Sequence, residues 1–431
     1  MKIIDNAIVI DLKNKDKEHL LINSLNGLVD VIYIKEFSVF KSWIGLNDIV
    51  PKDEFELNLY NLLVNRGYIL STENEKKIKE DLINKLYHIS QERFNNCSNA
   101  TFVLTYKCNF SCPYCYEKKI HNNEKMTKDM VDSIFDLYPN GIKNIGLFGG
   151  EPLLLDNKEI IEYIISKSPK SLFSLITNGY NLIEYLDILK SININEIQVT
   201  LDGAQNTHNK SRTLISGKHT YDKIMEGISL FLKNKIRIKI RMNVTNDNIQ
   251  ECIREKERIF ELFYDYKDIL TFELQPLFQY GYNERNMLYS KLMFSDKQSK
   301  SNNEILSKLS RISQFLYNGK RLIPSVKACD LEESNKYFDA KGDIYTCLVA
   351  VGHQKRSIGK YFPKYELKQN GYHSRTILSI EKCKTCKFAL LCGGGCPNAV
   401  PEDNIMSPNC SSIINEVNNT IPFIYNNFKK I

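Results

Sequence analysis

The hydrophobic pattern takes three styles along the chain. Near the start, Ala7-Ile8-Val9-Ile10 and His19-Leu20-Leu21-Ile22 are apolar runs of strand length. Asn26-Gly27 is a hairpin signal, and Leu28-Val29-Asp30-Val31-Ile32 follows it as a third strand. The spacing then becomes helical: Phe55, Leu59, Leu62 and Leu63 share one face, and Gly67 ends the helix. A charged segment from Glu73 to Lys85 leads into the second style. There, apolar strands near Phe102-Val103-Leu104, Ile145 to Phe148, Leu172 to Ile176, Ile197 to Leu201, Ile236 to Val244 and Leu270 to Leu274 alternate with amphipathic helical stretches. Six such units predict an α/β fold, a parallel sheet curved into a partial (β/α)6 barrel. In folds of this kind chemistry sits at the C-terminal ends of the strands. The third style is a polar, partly helical connection and then a cysteine-rich stretch with turn residues and little periodicity, which needs a metal to hold it together. The expected segments are 1–95, 96–276, 277–325 and 326–431.

Composition sharpens this picture. The chain has 431 residues, which at about 100–200 residues per domain suggests several domains. A hydrophobic fraction of 42% is enough for sizeable cores. There is no run of about 18 apolar residues, and Met1-Lys2-Ile3-Ile4-Asp5 carries an acid where a signal peptide is apolar. A soluble, cytoplasmic protein with no membrane partner is therefore expected. The net charge of +7 is a mild excess without a long basic block, so no nucleic-acid partner is expected, while acidic or peptide partners are permitted. Twelve cysteines are the informative number. In a reducing compartment, clustered cysteines bind metals or do redox chemistry. Cys97 and Cys252 stand alone; the rest fall between Cys108 and Cys115 and between Cys329 and Cys410.

The first group, Thr105-Tyr106-Lys107-Cys108-Asn109-Phe110-Ser111-Cys112-Pro113-Tyr114-Cys115, follows a strand. A closed zinc site wants four ligands, whereas three thiolates on a [4Fe–4S] cluster leave one iron free to bind a methionine amine and carboxylate. The spacing, with Tyr114 before the last cysteine, resembles the radical S-adenosylmethionine (SAM) superfamily. The resemblance implies that Cys108, Cys112 and Cys115 ligate a cluster that cleaves SAM to a 5′-deoxyadenosyl radical. It further implies that Gly149-Gly150-Glu151-Pro152 cradles the methionine amine, the glycines letting the ligand close to the backbone. Asn178 of Thr177-Asn178-Gly179, and Thr200 and Asp202 of Thr200-Leu201-Asp202-Gly203, fall at the next two strand ends, Thr200 standing where the family has the serine that meets the ribose. His208 and Arg212 match a His-x3-Arg pattern; Arg212 suits the methionine carboxylate, while His208 has a plain structural reading as a cap. No catalytic base is singled out: Asp202, Asp330 and Glu151 are candidates by position alone.

The second group holds Cys329, Cys347, Cys383, Cys386, Cys392, Cys396 and Cys410, with Gly342 five before Cys347 and Gly393-Gly394-Gly395 inside the compact run. It resembles the SPASM extension of peptide-modifying radical enzymes, which carries two auxiliary [4Fe–4S] clusters, giving three clusters and SAM as cofactors. That pattern gives Cys383, Cys386, Cys392 and Cys410 to an outer cluster and Cys329, Cys347 and Cys396 to an inner one. The family's fully ligated members have a further cysteine, and Leu331 to Thr346 contains none; an open iron that binds a substrate thiolate is the expectation. Two zinc sites are the alternative for the segment. The first 95 residues resemble, in architecture only, winged-helix modules that recognise precursor-peptide leaders. The resemblance implies an enzyme that forms a thioether in a ribosomally made peptide with an N-terminal leader, fed by a flavodoxin or ferredoxin-type electron donor. Carbon–carbon crosslinking, epimerisation and formylglycine formation are the enzymatic rivals, though Phe148 stands where sulfatase maturases have Gln. A non-catalytic iron–sulfur or zinc regulator is the rival of another class.

Overall fold

A computed structural model describes residues 1–120, 122–277, 292, 312, 315–316, 322–329, 334–369 and 371–428. Asp330 and most of the expected 277–325 connection lie outside them. Two compact units emerge, and neither is continuous in sequence. One combines Met1–Asn95, Leu306–Asp330 and Ser374–Ile431; the other combines Asn96–Ile305 and Leu331–His373.

The first unit begins with β1 (Lys2–Ile3) and an antiparallel meander of β2 (Ala7–Asp11), β3 (His19–Asn23) and β4 (Leu28–Ile32), with β3 in the centre. The Asn26-Gly27 signal is realised: Gly27 has φ +74° and closes onto the Asn23 carbonyl at 2.9 Å. Helices α1 (Ile34–Trp43) and α2 (Glu54–Asn65) follow, then β5 (Ile69–Leu70), which pairs with β1, and α3 (Thr72–Asn95). Asp53 caps α2 by accepting the Glu56 N–H. Leu59 and Leu63 face the core with Trp43, Phe40 and Tyr68, but Leu62 is 54% exposed. Adjacent residues are about 100° apart on a helix, so Leu62 falls beside the buried face that Leu63 joins. The charged Glu73–Lys85 stretch is no linker: it is the first half of α3, a 24-residue helix. Buried Glu75 accepts the Asp5 and Asn6 N–H groups at 2.6 and 3.3 Å.

Residues 1–95 hold that core by themselves but share a second one with later parts of the chain. Ile4 and Leu25 share one with Val326, Ile377, Ile380 and Leu390, against which Leu82, Ile83 and Leu86 of α3 also pack. Asn426 donates to the Leu12 carbonyl at 2.8 Å and Lys13 to that of Asn418 at 2.6 Å.

The second unit is built on one sheet. Its strands are β6 (Asn99–Val103), β7 (Asn144–Phe148), β8 (Leu172–Thr177), β9 (Asn193–Leu201), β10 (Ile238–Val244) and β11 (Leu270–Pro276). They lie side by side in sequence order and pair in parallel, as the six apolar runs predict. Between them run α4 (Lys128–Asp136), α5 (Lys158–Lys167), α6 (Leu182–Leu189), α7 (Gln205–Ser211), α8 (Tyr221–Lys233) and α9 (Ile249–Leu262). The sheet continues past β6 in a way the pattern does not foretell. β12 (Lys336–Asp339) adds in parallel, and β13 (Asp343–Tyr345), β14 (Gly359–Lys360) and β15 (Glu366–Leu367) extend it antiparallel to ten strands. Among the described residues the sheet is open, with β11 and β15 at its edges. No described helix is long and apolar enough to cross a membrane.

Candidate active site and metal centres

The cysteine loop leaves β6 and is laced to its neighbours by backbone bonds. Gly150 N–H reaches the Thr105 carbonyl at 2.9 Å and Glu151 N–H that of Lys107 at 3.0 Å. Ser111 N–H reaches the Thr213 carbonyl, and Ile215 N–H that of Asn109, each at 2.9 Å. Asn178 Nδ2 donates to Asn109 Oδ1 at 2.7 Å. These bonds explain the glycines after β7. A Cβ on Gly149 would stand 2.4 Å from the Thr105 carbonyl oxygen, and one on Gly150 2.6 Å from that of Lys107. In this structure the space glycine leaves is filled by the cysteine loop's own backbone.

Glu151 is 1% exposed. Its Oε1 accepts from Leu153 N–H and Thr177 Oγ1 at 2.8 and 2.6 Å, its Oε2 from Asn178 N–H at 2.7 Å. Burial raises its pKa while these three bonds oppose the rise. Glu151 thus joins the ends of β7 and β8, and Oε2 keeps one lone pair for a further donor. Pro152 is buried beside it, its carbonyl taken by Asn157 Nδ2 at 3.0 Å.

Asp202 organises the other side. Its Oδ2 accepts from Tyr114 Oη and from Ser211 Oγ, the latter at 2.8 Å; its Oδ1 accepts from Asn243 Nδ2 at 3.0 Å. Thr200 shares its side of β9, by the two-residue period of a strand, and is half-buried. Arg212 Nη1 donates to Tyr114 Oη at 3.0 Å, and its guanidinium lies 5.5 Å from the Phe110 ring centroid. Burial would lower the Arg212 pKa, but Tyr114, Cys112 and Asp202 outweigh it and hold it above its ordinary value. Arg212 Nε is buried and has no hydrogen-bond partner among the described residues.

His208 is fully buried and fully used. Its Nδ1 accepts the Asp202 N–H at 3.3 Å; its Nε2 lies 3.0 Å from Thr220 Oγ1, which itself donates to the Arg212 carbonyl at 2.5 Å. That chain fixes the neutral Nε2–H tautomer. Burial, aided by Arg212, pulls the His208 pKa down to about 3. The structural reading of His208 therefore holds, with a purpose: it seats Arg212.

The three thiols of the loop sit in one electrostatic neighbourhood. Burial pushes Cys108 up to about 12 and raises Cys112 and Cys115, and Arg212 pulls against the rise in all three. The donor set therefore fits a cluster with an open iron. Three thiols of one loop lie within the electrostatic reach of a buried cation whose Nε lacks an acceptor, and a carboxylate bound at that iron would supply one. Among the described residues no three His, Cys, Asp or Glu side chains converge at the spacing one metal ion needs.

In the first unit, Cys383 and Cys392 each sense the charge of Cys386 and Cys410. Burial pushes Cys383 up to about 11, with Cys386 and Cys410 adding to the rise; it pushes Cys392 up to about 12, with Cys383, Cys410 and Cys386 adding. The three glycines between Cys392 and Cys396 are steric necessities. All have positive φ, and Cβ atoms on Gly393 and Gly395 would stand 2.1 Å from Lys327 C and Asn409 O. Cys329 and Cys396 belong to this unit and Cys347 to the other, where it packs beside Val103, Tyr106 and Phe148. Cys97 precedes β6, at the end remote from the loop, with Sγ 3.4 Å from the Asn99 carbonyl. Cys252 is fully buried on α9.

Sequence reasoning did not find Asn109, Ser211, Thr220 or Asn243. Asn243 was within reach of the strand-end rule, since it sits at the end of β10. The others show no signal outside the folded chain.

Residues 102–256 match the family model of the radical SAM superfamily, and this span is a radical SAM domain. Among curated relatives, a GTP 3′,8-cyclase of Clostridium perfringens is 32% identical over 186 residues, covering 40% of this chain and 54% of that protein. A probable GTP 3′,8-cyclase of Pyrococcus horikoshii is 29% identical over 164 residues, covering 36% and 51%. The chain thus spans about half the length of the curated relatives it matches. Among solved structures, SuiB of Streptococcus suis bound to S-adenosylmethionine superposes with a TM-score of 0.53 at 15% identity, covering 96% of this chain and 99% of that one. Native anSMEcpe with bound AdoMet and a Kp18Cys peptide gives 0.53 at 20%, covering 74% and 95%. At these identities the likeness is one of fold.

Proposed function

We propose that the chain is a radical SAM enzyme that modifies a ribosomally made precursor peptide by joining a cysteine sulfur to a carbon. The observation that carries the radical part is the buried, unsatisfied Nε of Arg212 beside the three thiols. Cys108, Cys112 and Cys115 hold the first cluster; Arg212 takes the methionine carboxylate, and the free lone pair of Glu151 and the carbonyls around Gly149 and Gly150 face the amine. Thr200 and Asp202 border the ribose, and Asn178 holds the loop through Asn109. When bound, the cluster and S-adenosylmethionine supply hydrogen-atom abstraction. The chain's own part is to orient the sulfonium against the cluster and to keep the Tyr114–Asp202–Arg212 network buried.

Two features support a peptide substrate. Two similarly folded proteins, SuiB of Streptococcus suis and anSMEcpe, are solved with a precursor peptide and a Kp18Cys peptide bound. The meander β2–β3–β4 leaves β4 as an edge strand among the described residues, suited to pairing with an extended leader. In the SPASM pattern, Cys383, Cys386, Cys392 and Cys410 ligate an outer cluster, and Cys329, Cys347 and Cys396 an inner one whose fourth position is left for the substrate thiolate, held deprotonated. A flavodoxin or ferredoxin-type protein is the proposed electron source and the cytoplasm the proposed location.

The test is anaerobic incubation of iron-loaded protein with dithionite and S-adenosylmethionine. Methionine and 5′-deoxyadenosine are expected, and intact S-adenosylmethionine refutes the radical reading. With a cysteine-containing peptide encoded beside the gene, loss of two hydrogens and a blocked thiol are expected. Unchanged peptide mass with a free thiol refutes the thioether.

A further inference from the structure

Arg375 lies in the unit that contains Cys383, Cys386, Cys392 and Cys410, and it is 2% exposed. Its guanidinium donates only to backbone carbonyls. Nε reaches Ile405 at 2.8 Å, Nη1 reaches Gly395 at 2.9 Å, and Nη2 reaches Gly394 at 2.8 Å and Ser407 at 2.9 Å. No carboxylate pairs with it among the described residues. Carbonyl dipoles offset only part of the hydration a buried cation loses, so an unpaired guanidinium here is unfavourable unless an anion lies nearby.

The acceptors identify that anion. Gly394 and Gly395 lie between Cys392 and Cys396, while Ile405 and Ser407 run just ahead of Cys410. One planar fork therefore grips both chain stretches that deliver thiols. Four thiolates around four irons form a net anion, and nearby charge is one of the levers on such a cluster's potential.

We propose that Arg375 is the positioning residue and fixed counter-charge of the cluster assigned to Cys383, Cys386, Cys392 and Cys410; this rests on the four-thiolate reading above. A positive charge favours the reduced, more negative state of the cluster. Replacing it by a neutral group moves the midpoint to a more negative potential, whereas a lysine keeps the charge and loses the fork.

The test is a redox titration of the fully iron-loaded chain followed by electron paramagnetic resonance, with iron and zinc counted. The relevant signal is the one lost in Cys392→Ala. In Arg375→Gln its midpoint is expected to move negative while the other clusters' midpoints stay. In Arg375→Lys it is expected to stay near that of the unmutated chain, although the melting temperature falls. Equal midpoints in the unmutated chain and Arg375→Gln would overturn the counter-charge. Equal loss of the cluster from both variants would also overturn it, since the fork and not the charge would then be what matters. Zinc in the unmutated chain, or no signal lost in Cys392→Ala, would instead remove the four-thiolate cluster itself. That failure is distinguishable because it shows before Arg375 is touched.

Discussion

Arg212 and Gly150 do opposite things at the same loop. Arg212 offers an unused Nε donor, so its replacement should be felt by the ligand beyond the loss of its bond to Tyr114. Arg212→Lys keeps the charge and loses the bidentate fork. Losing charge-assisted hydrogen bonds of about 1.5–3 kcal/mol should weaken S-adenosylmethionine binding roughly 10–100-fold, with iron content unchanged, as equilibrium binding will show. Gly150 offers only space. Gly150→Ala drives a Cβ to 2.6 and 2.8 Å from the Lys107 and Tyr106 carbonyl oxygens, so the loop must shift, at a cost of about 1–3 kcal/mol. Iron bound by the first cluster should fall, and iron analysis beside the melting temperature checks it. The sequence showed which residues gather here, because each follows an apolar strand. It did not show why the glycines are glycines. That depends on Thr105 and Lys107 approaching from another strand's loop, a tertiary fact without a local signature. Arg375 was invisible for a similar reason: a lone arginine in a turn-rich segment says nothing about four carbonyls from two other stretches.

At the scale of elements, the six parallel strands were legible because each is a continuous apolar run between helices, whereas β12 to β15 are two to four residues long and leave no period to read. β12 matters nonetheless. Its Asp339 is fully buried, accepts Tyr106 Oη at 2.5 Å and so ties the root of the cysteine loop to the sheet. Burial pushes the Asp339 pKa up to about 6 against the bonds from Tyr106 and two backbone N–H groups. Its folded value exceeds its unfolded one, so the folded state binds the extra proton between about pH 4 and 6. Stability from this group therefore falls as pH rises through that window. His208 tilts the other way: its folded value of about 3 lies below its unfolded one, and stability is lost as pH drops below about 6.5. In cluster-free protein the two slopes oppose each other. Going from pH 7 to pH 5, Asp339→Asn should lose about 1–2 kcal/mol relative to the unmutated chain, and His208→Gln should gain a similar amount. Urea unfolding at both pH values measures the two tilts, and slopes of the same sign would contradict this account.

For the whole molecule, the sequence put a boundary near residue 95, where the strand–helix alternation begins. In the structure Met1–Asn95 belongs to one compact unit with Leu306–Asp330 and Ser374–Ile431. Ile4 and Leu25 pack with Val326, Ile377, Ile380 and Leu390, and no local period reveals a partner so far along the chain. A chain cut to begin at Asn96 should therefore lose more than the strands proposed to pair with a leader. It should expose that apolar surface, aggregate, and release the iron of the proposed outer cluster. Cys392→Ala, in contrast, should lose about four irons per chain while still cleaving S-adenosylmethionine, because its thiol belongs to the other unit. Iron counting and a 5′-deoxyadenosine assay separate the two outcomes.

The shared core also sets a timetable for biosynthesis. Ile4 and Leu25 leave the ribosome long before their partner Leu390. At about 5–20 residues per second the wait is roughly 20–70 s. Through that interval a nascent β-meander carries an uncovered apolar face, which is a surface for chaperones and a hazard when the protein is overproduced. The parallel sheet finishes first, and the unit that begins the chain closes last.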